Sequence, residues 1–149
     1  MWDKFKWIIA GESLSLNNIE HDILRKKFTP LDARIHFAVN CASVGCPILL
    51  NKAFSAPELN QTLEQLASDF VNSGRDVKFY RSKKKLETSK ILSWFKGDFK
   101  KDPKYGTVLK FIQRYIDPAR TGISSSEVSG YKVDDFGYDW DLNISKSEK

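Results

Sequence analysis

The sequence predicts a single α+β domain, with helices packed on a small mixed or antiparallel sheet. Three observations carry this. Segments of helical period and segments of alternating period are interspersed, without the regular strand–helix–strand alternation of a doubly wound sheet. The 149 residues are 41% hydrophobic and 29% charged, proportions that exclude a wholly disordered chain. That length suits one domain large enough to bury a core without staples. The domain is expected over residues 1–143, with a disordered tail over 144–149 (the run ending SKSEK).

Phe5, Trp7 and Ile9 alternate with Lys4, Lys6 and Ile8, which reads as a short strand. Ser15 then stands as N-cap before LNNIEHDILRKKF, a helix stopped by Pro30. In LDARIHFAVNCAS, Ile35, Phe37 and Val39 share one face of a predicted strand, and Arg34, His36 and Ala38 the other. A turn with Gly45 and Pro47 comes next. Ser55-Ala-Pro-Glu58 reads as a capping box. It opens a helix through Leu59, Leu63, Leu66 and Phe70 that stops at Asn72-Ser73-Gly74. Val77, Phe79 and Leu86 flank a polar hairpin. Ser89 caps a predicted helix SKILSWFKGDF, and Val108 to Ile116 form another. Residues 117–130 read as a Gly/Ser-rich loop, and YKVDDFGYDWDLN as an extended aromatic segment.

The chain carries 24 basic and 19 acidic residues, a net charge of +5. Arg75 to Arg114 holds 13 basic and 4 acidic residues, so a basic segment sits on a slightly acidic body. No nucleic-acid motif accompanies it, and the favoured reading is a solvated hairpin rather than a nucleic-acid face. No apolar run is long enough to span a membrane. The amino terminus as written lacks the apolar stretch of a signal peptide.

The chemistry-bearing residues are few. On a wheel of 3.6 residues per turn, Glu20 falls about 40° from Leu16, inside the apolar sector, and His21 about 140° round. A carboxylate there must be paired, with Arg34 as the expected partner, or must serve as a site group. Cys41 ends the predicted strand and enters a glycine-containing turn, whose N–H groups can stabilise a thiolate or an oxyanion. Strand parity puts His36 on the face opposite Cys41, which leaves His21 as the better-placed base. Cys41, Cys46, His21 and His36 complete a Cys2His2 set only arithmetically, and the spacing is loose for zinc. Neither a metal nor a cofactor is expected.

The segments Ser13-Leu14-Ser15-Leu16, Ile19-Glu20-His21, Ile23-Leu24-Arg25 and Arg34-Ile35-His36-Phe37-Ala38-Val39-Asn40-Cys41-Ala42-Ser43 resemble the domain-of-unknown-function family numbered 547. So do Cys46-Pro47, Ser93-Trp94-Phe95, Asp98-Phe99 and Tyr138-Asp139-Trp140-Asp141-Leu142-Asn143. The resemblance implies a domain found in bacterial, often exported, proteins, and in plants and animals beside leucine-zipper, DEP or glutaredoxin modules. It also implies that the Cys41 position is the more regular of the two cysteines, serine being common at the other. Family members start upstream with an aromatic- and asparagine-rich helix, so a missing amino-terminal helix is the expectation here. Location is then cytoplasmic if Met1 is the true start, and exported if a leader precedes it.

Two functions arise as expectations. One is a thiol-dependent hydrolase or transferase with Cys41 as nucleophile, His21 as base, Glu20 or Asp139 as its orienter and His36 as fallback base. The other is a non-catalytic interaction module, in which the same residues are structural. A partner or a second copy would then cover the apolar amino-terminal surface of Trp2, Phe5, Trp7, Ile8 and Ile9.

Overall fold

A computed structural model describes residues 2–28 and 30–144. The expected tail therefore lies, Ile144 excepted, outside the described residues. The fold is α+β with two small sheets. Strands β1 (Lys6–Ile9) and β2 (Glu12–Ser15) form an antiparallel hairpin. Its Ala10-Gly11 turn has both residues at positive φ, the conformation that joins twisted strands in two residues. The hairpin leaves Phe5 60%, Trp7 49%, Ile8 74% and Ile9 43% exposed, so the apolar amino-terminal surface is uncovered in the single chain.

Ser15 ends β2 and caps the next helix. Its buried hydroxyl accepts the Asn18 N–H at 3.1 Å, and Asn18 Oδ1 accepts the Ser15 N–H at 3.1 Å. The expected helix is present, but Asn18–Leu24 is a π-helix, with the Arg25 N–H bonded to the Glu20 carbonyl five residues back. A wider turn invalidates a 3.6-residue wheel. Leu16 is 40% exposed, and the segment buries no residue fully.

The strand expected over residues 35–41 is a 3-10 helix, Ala33–Phe37. Asp32 decides this: its carboxylate accepts the Arg34 N–H at 3.0 Å and starts a helical turn. The Asp102 carboxylate accepts the Ala33 N–H at 2.8 Å and locks the turn into the interior. Period-2 parity therefore fails, and His36 and Phe37 are both buried. Arg34 is buried too and bonds Asp32, Glu64 and Asn60, not Glu20.

Helix α1 (Leu59–Asn72) buries Leu63, Leu66, Ala67, Phe70 and Val71, as its period predicts. Ser55 and Glu58 make a turn ahead of it rather than a capping box, since the Ser55 hydroxyl donates to the Glu58 carboxylate. Strands β3 (Val77–Tyr80) and β4 (Lys85–Thr88) pair antiparallel, and β5 (Lys132–Asp135) joins β4 in parallel. Much of the basic segment is answered within the chain: Arg81 pairs with Glu127, Lys85 with Glu87 and Asp134, and Lys90 with Asp135.

The single helix expected after Ser89 breaks at Phe95 into α2 (Lys90–Trp94) and α3 (Lys96–Lys101). Helix α4 (Val108–Tyr115) has Thr107 as N-cap. The predicted loop over residues 117–130 holds a short α5 (Pro118–Thr121) and a 3-10 turn, Glu127–Gly130. The core centres on Phe37, which packs on Phe70 at 4.4 Å and Phe111 at 5.3 Å, with Phe99, Leu86, Leu92 and Ile112 fully buried around it. Each such side chain contributes about 1.5–3 kcal/mol by leaving water. Among the described residues no helix is long and apolar enough to cross a membrane.

Candidate functional site

Five elements converge on a cavity of about 270 Å³. The π-helix brings Glu20 and His21, the 3-10 helix brings His36, and the loop after it brings Asn40, Cys41 and Cys46. Helix α2 and the carboxy-terminal segment supply Trp94, Tyr138 and Trp140.

The two thiols sit together because the loop from Asn40 to Pro47 folds back on itself. Asn40 holds both ends: its Nδ2 donates to the Pro47 carbonyl at 2.7 Å and its Oδ1 accepts the Ala42 N–H at 2.7 Å. The Cys41 N–H then points at Cys46 Sγ, 3.0 Å away. Ser43 Oγ lies 3.2 Å from Cys41 Sγ and 3.4 Å from Cys46 Sγ, and Tyr138 Oη lies 3.4 and 3.2 Å from them. The two hydroxyls are 2.7 Å apart. Burial pushes the Cys46 thiol up, but bonds from the Cys41 thiol, Ser43, Tyr138 and the Cys41 N–H outweigh it and bring Cys46 down to about 7. Burial, and then the bonds to the two sulfurs, push the Tyr138 phenol up, so it keeps its proton as a donor. Both cysteines are free; Cys41 is half-buried and Cys46 buried.

The carboxy-terminal segment is fastened to this loop by the Gly45 N–H on the Asp139 carbonyl (2.9 Å), the Val44 N–H on the Asp141 carbonyl (2.8 Å) and the Ser43–Leu142 bridge. Tyr138 thereby lies flat on Gly45. A Cβ at Gly45 would stand 2.8 and 2.9 Å from the Tyr138 ring and 3.0 Å from the Asp139 carbonyl, closer than packed atoms allow. Gly45→Ala is therefore expected to cost about 1–3 kcal/mol in a thermal melt, by overpacking. It should also raise the pH at which the Cys46 thiol ionises, because the Tyr138 bond that helps to lower it is lost.

The histidines are joined through Asp98, in α3. Its Oδ2 accepts from His36 Nε2 at 2.9 Å and from Arg25 Nε at 2.8 Å, while Arg25 Nη1 donates to His21 Nδ1 at 2.9 Å. Burial pushes the Asp98 carboxyl up, and its bonds to Arg25 and His36 outweigh this and hold it below the usual carboxylate range. Burial pushes the His36 imidazole down to about 4 against the pull of Asp98, so His36 is neutral at neutral pH. With its Nε2 proton on Asp98, its Nδ1 carries a lone pair. That atom is buried and has no partner among the described residues. The His36 ring is stacked on Phe95 at 3.9 Å and 11°.

Of the residues predicted for the site, Glu20, His21, His36 and Cys41 line one cavity and Asp139 does not. The Asp139 carboxylate accepts the Asp141 N–H at 2.9 Å and borders a different cavity, away from both imidazoles. Glu20 is nearly enclosed, with its side chain 12% exposed, and its basic neighbour is His21 Nε2 at 4.0 Å. His21 presents a proton rather than a lone pair, because Arg25, which can only donate, occupies Nδ1. The Cys41 sulfur meets hydroxyls, not an imidazole. Sequence reasoning missed Asp98, Ser43, Tyr138 and Arg25 as site residues. Asp98 offered the one local signal, a carboxylate between the aromatic residues Phe95 and Phe99.

Residues 1–71 match the family model described as Protein of unknown function, DUF547, which bears out the resemblance carried by the IEHDILR and RIHFAVNCAS segments. No curated protein and no solved structure matches the chain.

Proposed function

We propose that this chain is a thiol-dependent acyl-transfer enzyme, a hydrolase or transferase, with Cys41 as nucleophile. One observation carries the reading: the half-exposed Cys41 thiol, a second thiol near 7 and an oriented imidazole with an unpartnered nitrogen share one small cavity. The base for Cys41 in this reading is the Cys46 thiolate rather than His21. The Cys41 proton passes to Cys46, and the Cys41 sulfur attacks the acyl carbonyl. The leaving group departs with the proton returned from Cys46, and a thioester remains on Cys41. Water, or a second nucleophile, then attacks the thioester while His36 Nδ1, which Asp98 orients, takes its proton; the acyl–sulfur bond breaks, the acyl product leaves, and the proton returns from His36 to the Cys41 sulfur. Ser43 and Tyr138 donate to the sulfurs throughout.

Iodoacetamide labelling against pH tests this. The wild-type chain should alkylate at Cys41 faster at about pH 6.5 than an unfolded peptide does. Cys41→Ser should remove the fast phase, and Cys46→Ser, which takes away the base, should slow it at the same pH. If Cys41 in the folded chain reacts no faster at about pH 6.5 than an unfolded peptide does, the proposal fails. The uncovered apolar hairpin of Phe5, Trp7, Ile8 and Ile9 then favours the second reading, an interaction module whose thiols are structural.

A further inference from the structure

We infer that the aromatic wall of the cavity, together with Glu20 and His36, is a recognition subsite for the ammonium group of a small cationic substrate. This names the substrate class of the site proposed above and rests on that reading for its catalytic meaning only. The wall consists of Trp94, Tyr138 and Trp140, with ring centroids 4.8, 4.6 and 5.6 Å apart and planes tilted by 35–60°. Trp94 stays 47% and Trp140 70% exposed. Large rings that lean on each other yet keep their faces open, at a cavity that also holds polar groups, offer π-faces to a ligand rather than to the core.

The polar groups left without donors fix the ligand's sign. Asn40 uses both of its amide atoms within the loop. Arg25 is committed to Asp98 and His21. What remains on the inner side are the nearly enclosed Glu20 carboxylate, met by the His21 Nε2 proton at 4.0 Å, and the buried Nδ1 of His36. The Asn17 amide, also at the cavity, can serve either way. A nearly enclosed carboxylate and a buried lone pair short of donors are each costly, and the N–H groups of an ammonium are donors of the kind they lack. A π-wall favours the same charge and opposes an anion. The volume of about 270 Å³ limits the ligand to a small acyl amine, whose carbonyl lies towards Cys41.

Three unreactive amides probe this on the intact chain by quenching of tryptophan fluorescence: glycinamide, which is cationic, N-acetylglycinamide, which is neutral, and succinamate, which is anionic. At about pH 6.5, glycinamide should bind at least about 10-fold more tightly than either of the others. Glu20→Gln should bring glycinamide to parity with N-acetylglycinamide. Trp140→Ala, at an exposed position, should weaken glycinamide by about 3- to 10-fold. Equal binding of the three, preference for succinamate, or discrimination that survives Glu20→Gln would overturn the subsite. None of these measurements needs a reactive thiol. A failed alkylation test with the ranking intact removes the enzyme and leaves an amine receptor; a lost ranking with reactive Cys41 removes only the subsite.

Discussion

Asp98→Ala is expected to be the most damaging single substitution at the site, costing about 3–5 kcal/mol, the usual result of removing one partner from a buried ion pair. The carboxylate is 9% exposed and its Oδ2 takes bonds from two side chains at 2.8 and 2.9 Å. Alanine leaves Arg25 with an unanswered charge against the Phe95 ring and leaves both nitrogens of the buried His36 without partners. Asp98→Asn keeps an acceptor of the same shape and should cost less, because the amide oxygen can serve one of the two donors. A urea titration of the three proteins measures this. Equal midpoints for wild type and Asp98→Ala would show that the Arg25–Asp98–His36 connection adds nothing to stability. The same substitution has a functional signature that packing alone does not give: without Asp98, nothing fixes which nitrogen of His36 carries the proton. In the acyl-transfer reading, thioester breakdown then slows while first attack by Cys41 is spared.

The sequence was most legible where one signal acted locally. Helix α1 follows from the period of Leu59, Leu63, Leu66 and Phe70, and Gly74, at positive φ, stops the chain just beyond it. Strand β1, β5 and the cap at Ser89 are equally local. The segment RIHFAVN misled because its alternation is real but incidental. A side-chain cap from Asp32 and a distant carboxylate, Asp102, outweigh the β-propensity of Ile35, Phe37 and Val39. That error propagated to the site, since it set His36 on the wrong face from Cys41. The Glu20 reading had a different fate. Its side chain is nearly enclosed, but against a cavity instead of Arg34: an i→i+5 turn rotates residues differently from an i→i+4 one, and Arg34 is taken up by Asp32, Glu64 and Asn60. Tyr138 was invisible as a partner of Cys41, and no local signal decided whether Cys46 meets it. Their meeting depends on a backbone fold-back around Asn40 and a contact across 97 residues.

Acid should unfold the chain in a window that His36 sets. Its imidazole lies at about 4 in the folded chain, against about 6.5 when unfolded, because burial disfavours the charged form more than Asp98 favours it. The native state therefore resists protonation. The stability tied to the neutral ring is complete above about pH 6.5 and is lost as pH falls towards 4. Over that interval the unfolded state binds the proton and the native state does not. The full difference corresponds to about 3 kcal/mol, or a fall in melting temperature of roughly 6–12 °C for a domain of this length. Other groups can be separated from it. Asp22, Asp32, Asp98 and Asp134 are held below the ordinary aspartate value, so their contribution is lost only below about pH 4. Asp76, pushed up by burial more than Arg75 lowers it, acts with the opposite sign and slightly stabilises on acidification. Cys46, depressed to about 7, adds stability as pH rises from 7 towards the ordinary thiol value, outside the window. His36→Phe preserves a ring to stack on Phe95 and removes the titrating nitrogens, so its melting temperature should be flat between about pH 6.5 and 4.5 while the wild type falls. A wild-type curve that is flat there, or a His36→Phe curve that falls in parallel with it, would mean that the buried imidazole is not the group that opens this fold to acid.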